Sequence, residues 1–291
     1  MPPLLVLIIA VLATTYAGPV IRFATAPAIA VAFWRLALVL PVTLALAWRE
    51  PRGVSDRRTR QLMVLSGLLL ALHFWSWIAS LRFTSVASSV LLVNLRPIFV
   101  WGLAAAWLHE HPGRWERWGI AIAVLGATLI GVGDARLSGG ALGGDLLATS
   151  AGFAAGGYSV IGRRVRRTVG VWTYATSVYG TAALALGAVA LLGGAPLTGF
   201  PSRDWSVFAA LAAGPMLVGH TGINYALKHF RATTVNVAGL GEPVGATLIA
   251  WLVPSIHEVP SPVALAGGLL VLAGIVLSFA APRPRALADV G

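Results

Sequence analysis

The stretch HEHPGRWERWGIAIAVLG at residues 109–126 returns as HEVPSPVALAGGLLVLAG at residues 257–274. His109-Glu110 matches His257-Glu258 at a spacing of 148, and the same spacing relates Gly119 to Gly267 and Gly126 to Gly274. Further out, Pro97 matches Pro243 at 146 and His73 matches His220 at 147, a drift that short loop insertions produce. Val20-Ile21-Arg22 and Val160-Ile161-Gly162-Arg163 are alike in the same sense. The chain therefore reads as a unit over 1–137, a second copy over 138–285 and a short tail, 286–291.

The composition says what kind of unit repeats. Of the 291 residues, 57% are hydrophobic and only 11% are charged, with mean hydropathy +0.82. A soluble domain carries about 45–50% apolar and about 25% charged residues, so charge this sparse cannot cover a water-facing surface. Apolar segments fall at 4–22, 28–48, 62–81, 86–108, 115–133, 142–162, 171–192, 205–227, 233–253 and 263–281. Each approaches the ~20 residues that a ~30 Å hydrocarbon core takes. None alternates at period two, which argues against a membrane β-barrel; helices satisfy their own backbone hydrogen bonds, as hydrocarbon demands. The expected fold is an all-α polytopic membrane protein with ten transmembrane helices in two repeats of five. Five is odd, so the second copy lies inverted. Inverted repeats belong to transporters that alternate access around a site near the midplane.

The net charge of +11 comes from 20 Arg and one Lys. These cluster between apolar runs and not on one soluble face, so nucleic acid is not the expected partner. With a cytoplasmic N-terminus, fifteen of them fall inside: Arg49, Arg52, Arg57, Arg58, Arg60, Arg114, Arg117, Arg163, Arg164, Arg166, Arg167, Lys228, Arg231, Arg283 and Arg285. Only Arg22, Arg82, Arg136 and Arg203 fall outside. That bias places both termini in the cytoplasm. No Lys or Arg precedes the apolar run Leu4 to Ala13, so it reads as a retained first helix and not as a signal peptide cleaved near Ala24-Thr25-Ala26. Cys is absent, His109-Glu110-His111 lacks the zinc-protease spacing, and no P-loop exists. Neither a metal, a cofactor nor ATP hydrolysis is expected.

Charged residues within lipid cost several kcal/mol by most scales, on the order of 3 by insertion, so Arg35, Arg96 and Glu242 are functional suspects. Arg96 and Glu242 each precede a repeat-related proline, Pro97 and Pro243. They could form a cross-repeat ion pair, either around a substrate or as a structural lock. On a helical wheel Arg96 points away from Asn94, Pro97 and Trp101, so all face one cavity only where Pro97 kinks the helix. His73 and His220 are the titratable candidates; His73 shares a face with Ser76, Trp77 and Ser80, and His220 with Asn224 one turn on. Their ordinary alternative is interhelical hydrogen bonding, worth ~0.6 kcal/mol in a membrane. Trp77, Trp101, Tyr158 and Tyr179 are mid-helix aromatics that could wall a cavity for a ring or a cation, or simply pack. Pro97 and Pro243 are candidate gating bends. Gly126, Gly131, Gly267, Gly268 and Gly274 suit scaffold contacts or a homodimer.

The run Phe83-Thr84-Ser85-Val86-Ala87-Ser88-Ser89, then Pro97-Ile98-Phe99-Val100 and Leu108-His109-Glu110, with Gly241-Glu242-Pro243-Val244 and His257-Glu258 in the second half, resembles the drug/metabolite transporter superfamily. The resemblance is to its ten-helix EamA-type members and covers nearly the whole chain. The overall pattern is most similar to the YddG-type exporters of aromatic amino acids. It implies a multi-pass protein of the bacterial inner membrane that exports small metabolites, amino acids and aromatic ones foremost. The site would lie between helices one, three, four, six, eight and nine, with five and ten peripheral. The chain departs from the family pattern at Arg96, where such proteins carry an uncharged residue. The same resemblance leaves a nucleoside, a cationic drug or a lipid as other substrates; an intramembrane enzyme is the remote reading from another class.

Overall fold

Proline decides where these apolar helices stop. Its ring clashes with the carbonyl four residues earlier and removes one amide donor. In the computed structural model, which describes residues 1–21, 23–50, 56–84, 89, 92–133, 142–252 and 261–280, each of five interruptions falls four residues before a proline. Helix α1 (Pro3–Thr14) turns at Thr15-Tyr16 into α2 (Ala17–Ile21), four residues before Pro19. Helix α3 (Ala28–Ala37) yields to α4 (Leu40–Ala47) ahead of Pro41. Helical residues 92–93 turn at Asn94-Leu95 before α6 (Arg96–Leu108) and its Pro97. The remaining two breaks lie in the second half and are described below.

Between the first-half breaks, α5 (Arg57–Ser80) runs uninterrupted. Its start is fixed by Asp56, whose carboxylate accepts the Thr59 amide at 2.8 Å, the usual cap for otherwise unpaired first-turn donors. Then come α7 (Arg114–Gly133), α8 (Leu142–Val165) and α9 (Val171–Leu192). Helix α10 (Ser202–Leu211) ends four residues before Pro215 and continues as a π-helical segment, Ala212–His220, into α11 (Thr221–His229). Helix α12 (Ala232–Ala238) stops at Gly239-Leu240, ahead of Pro243 in α13 (Gly241–Leu252). Helix α14 (Pro262–Phe279) closes the order. Among the described residues there is no strand.

Among the described residues, six stretches are long and apolar enough to cross a membrane: Pro3–Ile21, Ala28–Ala47, Arg57–Ser80, Val171–Leu192, Ser202–His229 and Pro262–Phe279. The last has mean hydropathy 2.3 yet is only 28% buried, with Leu269 and Val276 turned outward. An apolar helix that hides so little of itself is solvated by lipid. Helix α6, at 13 residues, is shorter than a span, and α12 with α13 is divided by its turn.

The main core joins α3, α5, α9 and α10 through Leu36, Leu70, Phe74, Tyr174, Tyr179, Phe208 and Leu211. Helices α7 and α14 pack face to face through glycine. A Cβ built on Gly274 would meet the Gly119 carbonyl at 2.6 Å, and one on Gly267 the Gly126 carbonyl at 2.6 Å. The pairs run 119 with 274 and 126 with 267, so the helices are antiparallel. Gly126, Gly267 and Gly274, expected to serve a scaffold or a second copy, are thus used within the chain.

Carboxylates tie the two sequence halves at both ends. Glu110 accepts Arg163 Nε at 3.0 Å and Arg167 Nη2 at 2.8 Å. Glu116 accepts Arg231 Nη1 at 2.8 Å and the Thr233 and Thr234 hydroxyls. Glu50 accepts the Trp172 and Thr173 amides at the start of α9. At the opposite end Asp204 accepts the Thr25 amide at 2.8 Å and hydroxyl at 2.7 Å, and Asp145 accepts the Thr84 hydroxyl at 2.6 Å. Arg22, Arg52, Ser85 to Ser88, Arg136, His257-Glu258, Arg283, Arg285, the 137/138 boundary and the tail lie outside the described residues.

Candidate functional site

A helix that stops in mid-course leaves polar backbone that must meet side chains, water or a ligand. Four of the five proline breaks border one cavity. Thr14 and Thr15 line it where α1 gives way, Val93 and Asn94 ahead of α6, Pro215 and His220 in the π segment, and Glu242 and Pro243 at the start of α13. Arg35 and Phe74 complete the wall beside Trp77 and His73. The cavity has a volume of about 110 Å³. Thr14 and Thr15 turn their hydroxyls onto the Val11 and Leu12 carbonyls, each at 2.7 Å, and so satisfy the interrupted backbone of α1.

The charge in this cavity is unusual in kind. Arg35 is 1% exposed, and its guanidinium carbon stands 4.0 Å from the centre of the Phe74 ring. Among the described residues its Nε and Nη1 have no hydrogen-bond partner. Arg96 Nε is equally without one, while its Nη2 lies against Gly239, where a Cβ would come within 2.6 Å. Glu242 lies in the field of both arginines, but none of the ion pairs among the described residues joins it to either. The direct Arg96–Glu242 ion pair open to the sequence is therefore absent from this conformation; both residues line the cavity.

His73 approaches the Ala151 carbonyl at 3.0 Å. A carbonyl only accepts, so Nδ1 carries the proton and Nε2 is left unprotonated in the neutral ring. The ring stacks on Trp77, centroids 6.4 Å apart and planes within 3°. His220 meets Phe74 edge-on at 5.1 Å, and its Nδ1 has no partner. The repeat-related histidines thus flank one phenylalanine.

The residues expected at a site divide into two groups. His73, Trp77, Asn94, Arg96, His220, Glu242 and Pro243 line the cavity together. Tyr158, Tyr179 and Asn224 form a buried network behind it: Tyr158 donates to Asn224 Oδ1 at 2.6 Å, Asn224 Nδ2 reaches the Tyr179 oxygen at 3.4 Å, and Tyr179 meets the Thr221 hydroxyl at 3.0 Å. Trp101 packs against Ile120, Val237 and Leu240, and Pro97 is buried in the first turn of α6; neither borders the cavity. The turn at Asn94-Leu95 explains the difference. It breaks the helical phase, so Asn94 and Arg96 share the cavity while Trp101, reckoned on an unbroken wheel, does not. Phe74, Thr14, Thr15 and Pro215 were not singled out, although Pro215 within an apolar run was the signal for a break there.

The chain matches the EamA-like transporter family over residues 1–132 and 142–280. It is 28% identical over 256 residues to the pseudopaline exporter CntI of two strains of Pseudomonas aeruginosa, covering 88% of this chain and 87% of that protein. A protein of known crystal structure superposes with a TM-score of 0.78 at 18% identity, over 94% of this chain and 95% of the other; that likeness is one of fold. With six apolar spans, a matched family and an exporter relative in hand, the chain is a multi-pass membrane protein of the EamA-like transporter family.

Proposed function

We propose that this protein is a secondary exporter of small amino-acid-type metabolites, aromatic amino acids among them, working by alternating access in a bacterial inner membrane. One observation carries the reading: a single cavity gathers Thr14 to Arg96 from the first sequence half and Pro215 to Ala246 from the second. A site shared by two halves is what a rocking transporter needs. Glu242 would receive an ammonium group, and Arg35 with Arg96 a carboxylate, since Arg presents planar donors matched to that group. Trp77 offers a flat face for a ring.

The supporting architecture is ten crossings in two inverted repeats, 1–137 and 138–285, with both termini cytoplasmic. The crossed glycine contacts support it: exchanging 119 with 267 and 126 with 274 converts the pair 119–274 into 267–126, as a twofold axis through the α7–α14 seam would. The family match also divides within 133–141, around the boundary between the repeats.

Reconstituted proteoliposomes loaded with labelled Phe or Trp test the proposal. Protein-dependent release is expected, and its absence for every amino-acid-type cargo removes it. A second reading follows from the relative that exports pseudopaline: this chain would then move a larger metallophore-type compound. Release of such a compound with no release of free amino acids selects that reading.

A further inference from the structure

The charges that border the cavity do not balance. Arg35 and Arg96 face it, with Glu242 as the single acid among its lining residues. His73 is engaged through Nδ1 with a carbonyl, and His220 stands edge-on to Phe74, so neither imidazole supplies negative charge. The ion pairs among the described residues all involve Glu110 or Glu116, outside the cavity lining. Two arginines with unpartnered buried nitrogens therefore share one carboxylate that touches neither.

A guanidinium withdrawn from water is costly unless it is paired and hydrogen-bonded. The face of Arg35 is already covered by Phe74, which leaves its N–H edge as the part able to recognise an anion. Such a site rejects an analogue that leaves its buried polar groups unpaired far more strongly than it rejects a change in apolar bulk.

We infer that the Arg35–Arg96 pair selects cargo carrying one more carboxylate than ammonium, so that an acidic amino-acid-type metabolite neutralises the cavity. This rests on the transport reading above and narrows it. One carboxylate of the cargo meets each arginine, and the ammonium meets Glu242. A zwitterion such as Phe leaves one guanidinium uncompensated; a cation leaves both.

L-glutamate and L-glutamine have nearly the same size and differ by one charge, so they isolate this effect in the wild-type protein. In proteoliposomes at equal concentration, glutamate flux is expected to exceed glutamine and Phe flux at least tenfold. Arg35→Gln and Arg96→Gln should bring the glutamate-to-glutamine ratio close to one, whereas Arg35→Lys, which keeps the charge, should hold it well above one. Glutamine or Phe moving as fast as glutamate overturns the charge rule and leaves the transport reading intact. Movement of none of the three overturns the charge rule, and the transport reading falls with it when no other amino-acid-type cargo moves either.

Discussion

Substituting Arg35 by Met separates stability from transport. Replacing a buried, incompletely paired ion by an apolar chain of similar volume is commonly neutral or stabilising, and Arg35 has two nitrogens without partners. The melting temperature of Arg35→Met in detergent should therefore equal or exceed that of the parent, while flux falls at least tenfold; a variant that melts earlier and still transports contradicts this. Tyr158→Phe should act the other way. It removes the 2.6 Å bond to Asn224 and should cost about 1 kcal/mol of stability, read by thermal melting, with little effect on which cargo moves because Tyr158 does not border the cavity. At this scale much was legible. A charge or imidazole inside an apolar run had to be explained, and His73, Arg96, His220 and Glu242 all border one cavity. Asn224 was placed beside His220 by i, i+4 spacing on an ideal helix. The step from His220 to Asn224 is α-helical, as that spacing assumes, but the Asn224 side chain is taken up by Tyr158 and Tyr179 and does not border the cavity.

Helices here are governed by proline and glycine. Pro243→Ala should restore an amide donor near the Gly239-Leu240 turn and straighten α12 into α13, slowing transport severalfold without loss of thermal stability; flux in proteoliposomes checks it. Gly267→Leu should fail differently. A Cβ there already meets the Gly126 carbonyl and the Ile130 amide within 3 Å, and overpacking of this kind costs about 1–3 kcal/mol, whereas Gly102→Ala meets nothing within 4 Å and should melt like the parent. The start of α5 has a pH signature. The Thr59 amide bond holds the Asp56 carboxyl below its ordinary range. A lowered folded-state value means stability that is complete above the unfolded value and is lost as pH falls through the folded one. Protection of the Thr59 amide, its exchange measured relative to the intrinsic rate, should fall at acid pH and be independent of pH in Asp56→Asn. Element positions were largely visible as apolar runs, and the proline breaks could have been placed from the sequence by counting back four residues. What period analysis could not supply was which breaks would converge on one cavity, because convergence depends on packing between distant helices.

For the whole molecule, the sequence lacks cysteine, so single cysteines report without background. Arg57→Cys and Arg164→Cys should both react with a membrane-impermeant maleimide from the cytoplasmic face and from neither side when pre-blocked there. Labelling from opposite faces would overturn the inverted-repeat topology. The proposed repeat rests on glycines and prolines that recur at fixed spacing, whereas the apolar surface facing lipid accepts nearly any aliphatic side chain and so hides kinship. The glycine seam between α7 and α14 constrains how such a molecule can work. Main chain touches main chain there at Gly119 with Gly274 and at Gly126 with Gly267. Under the proposed alternating access, this seam is the natural line about which the molecule would turn, like a door on its hinge pin, with the widest travel at the far side of the cavity.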